Sequence, residues 1–230
     1  MLLLSKFIFI CFAVSFAASA QSKVSLSILF CRSDEIVPPY PANEFWLFRN
    51  DSLMKHYENV AAGIIGEFPD GDYAIEYKTI FGVRSEQFKL KFEKDRSNLH
   101  ELKLCVDDLS PELRAKTSAL FIDLLKDDEE IVIDYSFSGC FASGKESMII
   151  KKHRGIYYIL YKETKRKLLD KEVSALRDME LELRNLRKAD YGCTTNSKTT
   201  VTYKSASISF SEPCGYWEGY YRIKGILELE

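Results

Sequence analysis

In the first half of the chain the hydrophobic positions recur at every second residue. Val24, Leu26, Ile28 and Phe30 are apolar, and Ser25 and Ser27 between them are polar. The alternation returns at Tyr73, Ile75 and Tyr77, at Phe88, Leu90 and Phe92, and at Leu102 and Leu104, with a shorter stretch at Phe45–Phe48. A period of two puts the apolar side chains of a segment on one side, which predicts strands with one buried face. No convincing helical period falls between Gln21 and Cys105. Residues 21–106 are therefore expected to form an antiparallel β-sandwich.

After Cys105 the period changes. Ser110, Pro111 and Glu112 combine a capping hydroxyl, a proline suited to a first turn and an acid at the positive end of a helix dipole. Leu113, Leu120, Phe121 and Leu124 continue one apolar face, predicting a linker helix over 111–126 that the run Asp127-Asp128-Glu129-Glu130 ends. Alternation resumes at Ile131, Ile133, Tyr135 and Phe137. A hairpin follows, with strands Met148–Lys152 and Ile156–Lys162 about a turn at His153-Arg154-Gly155. Asp170 is placed to cap a helix reaching about Arg187, with Val173, Leu176, Met179 and Leu183 on one stripe and Glu180 and Arg184 paired on another face. Thr199–Tyr203 and Ser207–Phe210 predict a second strand pair, and the tail Tyr216–Leu229 fits a short helix slightly better than a strand. Residues 107–230 thus read as an α+β domain with an antiparallel sheet and two to three helices, giving a mixed fold class for the whole chain.

Residues 1–20 are set apart from this fold. Lys6 precedes an apolar stretch from Phe7 to Val14, and Ala18-Ser19-Ala20 supplies the small residues a signal peptidase requires. Cleavage is expected after Ala20, making the protein exported, either periplasmic or extracellular. The stretch is shorter than the roughly 20 residues that cross a bilayer, and no second long apolar run follows, so no membrane span is expected after cleavage.

The composition, 46% hydrophobic and 29% charged, is that of a folded globular chain rather than a disordered or multi-span one. With 32 Lys+Arg against 34 Asp+Glu and a net charge of −2, the chain carries no overall basic footprint for nucleic acid. Export changes the reading of the cysteines. Without Cys11 the mature chain keeps Cys31, Cys105, Cys140, Cys193 and Cys214, an odd set in an oxidising compartment. Sequence leaves connectivity open. Cys31 and Cys105 lie in the first and last strands of the N-terminal half and Cys193 and Cys214 bracket one hairpin, which favours those two pairs and leaves Cys140.

Catalytic signatures are sparse. There is no G-x-S-x-G, H-E-x-x-H, Walker loop or G-x-G-x-x-G after a strand, and no C-x-x-C with histidines at zinc-ligand spacing, so no metal or other cofactor is expected. Cys140 and His153 are the least implausible nucleophile and base. The acidic run 127–130 lacks the alternating ligands of a calcium loop and reads as a solvated turn. His153, within Lys151-Lys152-His153-Arg154, reads as an exposed charged turn, with a phosphate or acidic contact as the alternative. Tyr216, Trp217, Tyr220 and Tyr221 are candidates to stack on a sugar or anchor a protein contact, the other reading being core packing. Together these favour a non-catalytic binding or interaction module whose partner is a protein or a glycan. The alternative is an envelope hydrolase of unrecognised type.

Two resemblances accompany this reading. Gly66-Glu67-Phe68-Pro69-Asp70-Gly71-Asp72-Tyr73-Ala74-Ile75 places an aromatic before a Pro-Asp-Gly turn and an alternating strand after it. Over about residues 22–106 this resembles the carboxypeptidase regulatory-like, or prealbumin-like, β-sandwich, an accessory module that implies no catalytic residues. Ser138-Gly139-Cys140-Phe141, Asp170-Lys171-Glu172, Gly192-Cys193-Thr194-Thr195 and Cys214 followed by Trp217 make residues 131–230 similar to a group of small secreted bacterial proteins. That likeness implies an architecture and no chemistry.

Overall fold

The computed structural model describes residues 22–29, 31, 42–60, 63–93, 99–117, 119–187, 194–213 and 217–229. The expected leader, residues 1–20, and the candidates Cys193, Cys214 and Tyr216 lie outside the described residues.

Strands predominate. Up to Cys105 they are β1 (Ser22–Leu29), β2 (Ala42–Arg49), β3 (Ser52–Val60), β4 (Gly63–Phe68), β5 (Gly71–Tyr77), β6 (Phe88–Phe92) and β7 (Leu99–Cys105). They form a three-stranded sheet, β4-β1-β7, and a four-stranded sheet, β3-β2-β5-β6. Leu26 and Leu104 of the first sheet share one buried cluster with Phe45, Leu47 and Ile75 of the second, and the cluster continues into Ile133, Met148 and Leu176 of the C-terminal half. Phe68 and Tyr73, on either side of the Pro69-Asp70-Gly71 turn, are both buried and meet with ring centroids 5.8 Å apart. One short turn thus sends a side chain into the core from each sheet.

Pairing departs from the antiparallel expectation at one place. β1 and β7 run parallel, from Lys23 opposite Leu99 to Leu29 opposite Cys105. Parallel neighbours need a long crossover, and here the four-stranded sheet lies within it. Just past this pair Cys31 and Cys105 form a disulfide, with Cα atoms 5.2 Å apart. The Cys31 N–H also donates to Asp107 Oδ1 at 2.8 Å.

Beyond Cys105 come β8 (Glu130–Ser138), β9 (Ser143–His153), β10 (Ile156–Tyr161), β11 (Thr164–Lys167), β12 (Asn196–Tyr203) and β13 (Ala206–Pro213). They make a six-stranded sheet, β11-β10-β9-β8-β12-β13, antiparallel at every step. Arg154 and Gly155, with φ of 52° and 75°, form the two-residue turn between β9 and β10, the left-handed geometry that matches strand twist.

The helices are α1 (Pro111–Lys116), α2 (Phe121–Leu124), α3 (Asp170–Asn185) and α4 (Gly219–Ile226). The linker helix expected over 111–126 is therefore two short helices. Thr117 ends α1 in extended backbone, its hydroxyl donating to Leu113 O at 3.0 Å. This is the competition for backbone partners that makes threonine a poor helix continuer. Ser110 caps α1 as expected, accepting from the Leu113 N–H at 3.2 Å. Asp170 is not a cap but the first residue of α3; the exposed Leu169 N–H is taken up by Glu172 Oε2 at 2.7 Å.

Candidate functional site

Two rings of the aromatic tail, Trp217 and Tyr220, are core. Trp217 is 4% exposed and Tyr220 1%, while Tyr221 is half-exposed. Tyr220 stacks on Tyr135 of β8 at 4.4 Å, and Trp217 packs edge-on to Phe210 of β13. A Cβ on Gly219 would lie 2.0 Å from the Trp217 ring, so that approach requires glycine. With Trp217 and Tyr220 buried, neither ring is available to stack on a sugar or anchor a protein contact; of the other two candidates Tyr221 is half-exposed and Tyr216 lies outside the described residues. The apolar bodies of these rings gain more from the sheet than from water.

Burial of the tail rests on Glu182 and Glu146, which periodicity did not single out, while the expected Glu180–Arg184 pair is formed beside them. Glu182, 0% exposed, accepts from Trp217 Nε1 at 2.7 Å and from Arg222 Nη2 at 2.5 and 2.6 Å. Glu180 accepts from the Phe121 and Ile122 N–H groups at 2.7 and 3.1 Å, capping α2 from α3, and pairs with Arg184. Glu172 pairs with Arg166 at 2.7 Å. On β9, Glu146 Oε2 receives Lys224, Tyr161 and Tyr220 at 2.8, 2.8 and 3.2 Å. These contacts fix α2, α3 and α4 on one face of the six-stranded sheet.

Lys224, ahead of Tyr161 and Tyr220, holds the Glu146 carboxyl below its ordinary 4.5, against the opposing effect of burial. Arg166 does the same for Glu172. Burial, reinforced by the Glu146 charge, pushes the Tyr220 phenol up. A depressed folded pKa means that the stabilisation is complete above the unfolded carboxyl value and is lost as pH falls through the lower folded one. Thermal melts followed by circular dichroism should thus show Tm dropping below about pH 4.5, with a shallower drop in Lys224→Met. An equal acid slope in that variant would remove Glu146 from the account.

Cys140 and His153 do not meet. Cys140 is exposed in the β8–β9 turn and His153 ends β9 at the opposite edge of the sheet. Strand rise puts them about 30 Å apart. His153 Nδ1 instead lies 2.7 Å from Asp128 Oδ1. The acidic run serves its turn: Asp127 accepts from the Gly155 N–H, Glu130 pairs with Lys151, and Glu129 binds Lys204 and the Tyr203 hydroxyl, which hold its carboxyl down to about 2. Among the described residues no group of three or more His, Cys, Asp or Glu is placed to hold a metal ion. None of the described helices is long and apolar enough to cross a membrane.

The opposite face of the six-stranded sheet is open to solvent among the described residues. Ile133, Met148, Ile159 and Val201 point inward and are buried. The alternate residues point outward, and none of them is buried: Ser136, Ile149, Tyr158 and Thr202 are half-buried, and Lys145 and Lys198 are exposed. Nothing among the described residues covers this face. Two depressions lie on it. One, of about 440 Å³, is lined by Ser136, Ser138, Lys145, Asn196, Lys198 and Ser211 at the β8–β9 turn end. The other, of about 390 Å³, is lined by Asp128, Lys151, Lys152, His153, Tyr158, Leu160 and Lys165 near the β9–β10 turn. The register sets Lys145, Ser136, Lys198 and Ser211 side by side across β9, β8, β12 and β13. Hydroxyls, amide and ammonium groups there can donate and accept hydrogen bonds over a flat surface.

No protein-family model, curated protein or solved structure matches the chain.

Proposed function

We propose that the chain is an exported, non-catalytic binding module whose open six-stranded sheet face takes a glycan. The carrying observation is the two depressions, one towards each end of a face that the described residues leave uncovered, lined by serine hydroxyls, Asn196, Tyr158, His153, Asp128 and lysines. Hydroxyl-rich ligands suit such a lining, since each lining group offers a hydrogen bond and Tyr158 a ring to stack on. A protein partner is disfavoured by the lysines, which are depleted at interface cores, and by the burial of Trp217 and Tyr220, which would have been its anchors.

In this reading residues 21–106 are a prealbumin-like sandwich that serves as spacer or docking module for residues 107–230. The shared core of the three- and four-stranded sheets supports it. Export is supported by the Cys31–Cys105 disulfide, a bond of oxidising compartments. The hydrolase alternative loses its candidate pair with the separation of Cys140 from His153. Ser136→Trp tests the reading on immobilised polysaccharides: the outward ring should fill the larger depression and abolish capture with Tm unchanged. Undiminished capture by Ser136→Trp, or turnover of a glycan by the wild type, would count against it.

A further inference from the structure

The charge of the open face is not that of the chain. Lys145, Lys151, Lys165, Lys167 and Lys198 project from it, against Glu130 and Asp134, with Asp128 lining the depression near the β9–β10 turn beside His153. Four of these lysines, Lys145, Lys165, Lys167 and Lys198, have no ion-pair partner among the described residues, whereas Lys151 pairs with Glu130 at 2.8 Å. A chain of net charge −2 thus presents a cationic face. The positive charge is concentrated at two poles. At one, Lys145 and Lys198 flank Ser136 across three neighbouring strands, about 10 Å apart at strand spacing. At the other, Lys167 and Lys151 flank Tyr158, with Lys165 beside Leu160. Lys151 lies six steps along β9 from Lys145, and a rise of about 3.3 Å per residue sets the poles about 20 Å apart.

Resting on the proposed glycan reading, we infer that the ligand is a linear acidic polysaccharide long enough to engage both poles at once. A single acidic sugar can occupy one pole; a chain spanning both converts the second contact into an intramolecular one and gains affinity by effective concentration. The track runs over Ser147 and Ile149 of β9, beside Asp134, whose carboxylate opposes the ligand. Two exposed ammonium groups per pole, each near a carboxylate in water, correspond to about a tenfold effect at low salt, weakening as salt screens them.

The test uses long-chain polygalacturonate as the probe, with a short galacturonate oligomer, the methyl-esterified polymer and single-stranded DNA as comparisons. Lys145→Gln with Lys198→Gln, and separately Lys165→Gln with Lys167→Gln, should each weaken polygalacturonate binding about tenfold, and all four together about a hundredfold. Asp134→Asn should tighten it severalfold. The oligomer should bind much more weakly than the polymer, keep binding at the remaining pole when one is neutralised, and lose its binding when both are. Equal binding of the esterified polymer, still abolished by Ser136→Trp, would overturn the acidic ligand and leave the glycan reading standing. Polygalacturonate binding that ignores both Ser136→Trp and the lysine variants would overturn both. Tighter binding of single-stranded DNA than of polygalacturonate would assign the face to nucleic acid instead.

Discussion

Glu182→Leu is expected to destabilise the protein by about 3–5 kcal/mol, read from the urea midpoint. The carboxylate is 0% exposed and is shared by Trp217 Nε1 and Arg222, itself largely buried. Removing it leaves a guanidinium without its counter-charge and an indole N–H without its acceptor, in surroundings where each pays a desolvation penalty. Those two groups hold the tail segment and α4 to α3, so the loss should also raise the accessibility of Trp217 to a fluorescence quencher. Glu182→Leu combined with Arg222→Met should recover much of the stability, because no uncompensated charge then remains. A single variant within about 1 kcal/mol of wild type would mean that the apolar contacts of Trp217 and Tyr220 alone hold the segment.

Cys31→Ser with Cys105→Ser is expected to cost about 4 kcal/mol, and reduction of the wild type should cost the same. The bond links positions 74 apart in sequence. It removes from the unfolded chain the entropy of a long loop, which sets the size of the effect. The loop contains the whole four-stranded sheet, so the linked ends also hold β1 parallel to β7. A urea midpoint unchanged by reductant would contradict this and weaken the case for an oxidising compartment.

Where one face of a strand is buried and the other wet, the fold was readable from sequence. Leu102-Lys103-Leu104 and Ile131-Val132-Ile133 differ in composition, but in both the residues with an apolar period of two became buried core. Reading failed where other physics sets the pattern. Met54 is an extra residue in β3 opposite the Leu47–Phe48 step, a bulge that breaks the alternation. β11 is Thr-Lys-Arg-Lys, an edge strand whose charges protect it from further pairing and leave no apolar signal. The linker helix ends at Thr117 for a local reason, but α2 starts afresh at Phe121 under a cap from Glu180, a contact no local window contains.

The functional surface was less legible than the fold, and the error had a direction. Aromatic residues near the end of the chain suggested a stacking platform, but Tyr135 and Glu182, their partners, come from distant segments and draw them inward. The open face is the polar half of the same alternating strands. Ser136, Lys145 and Lys198 carry no signal one strand at a time. Only the strand order brings Lys145 and Lys198 to either side of Ser136, and a net charge averaged over the whole chain cancels the asymmetry. Cys193, Cys214 and Tyr216 lie outside the described residues, so the second cysteine pair has no structural account.

The most direct measurement is amide chemical-shift mapping of the mature protein titrated with a polygalacturonate chain long enough to reach both lysine poles. The account expects the largest shifts along β8, β9, β10 and β12, centred on Ser136, Lys145, Ser147, Tyr158 and Lys198, with α3 and α4 unmoved. Shifts confined to the helix-covered side or to the four-stranded sheet around Trp46 and His56, or none at saturating ligand, would contradict it.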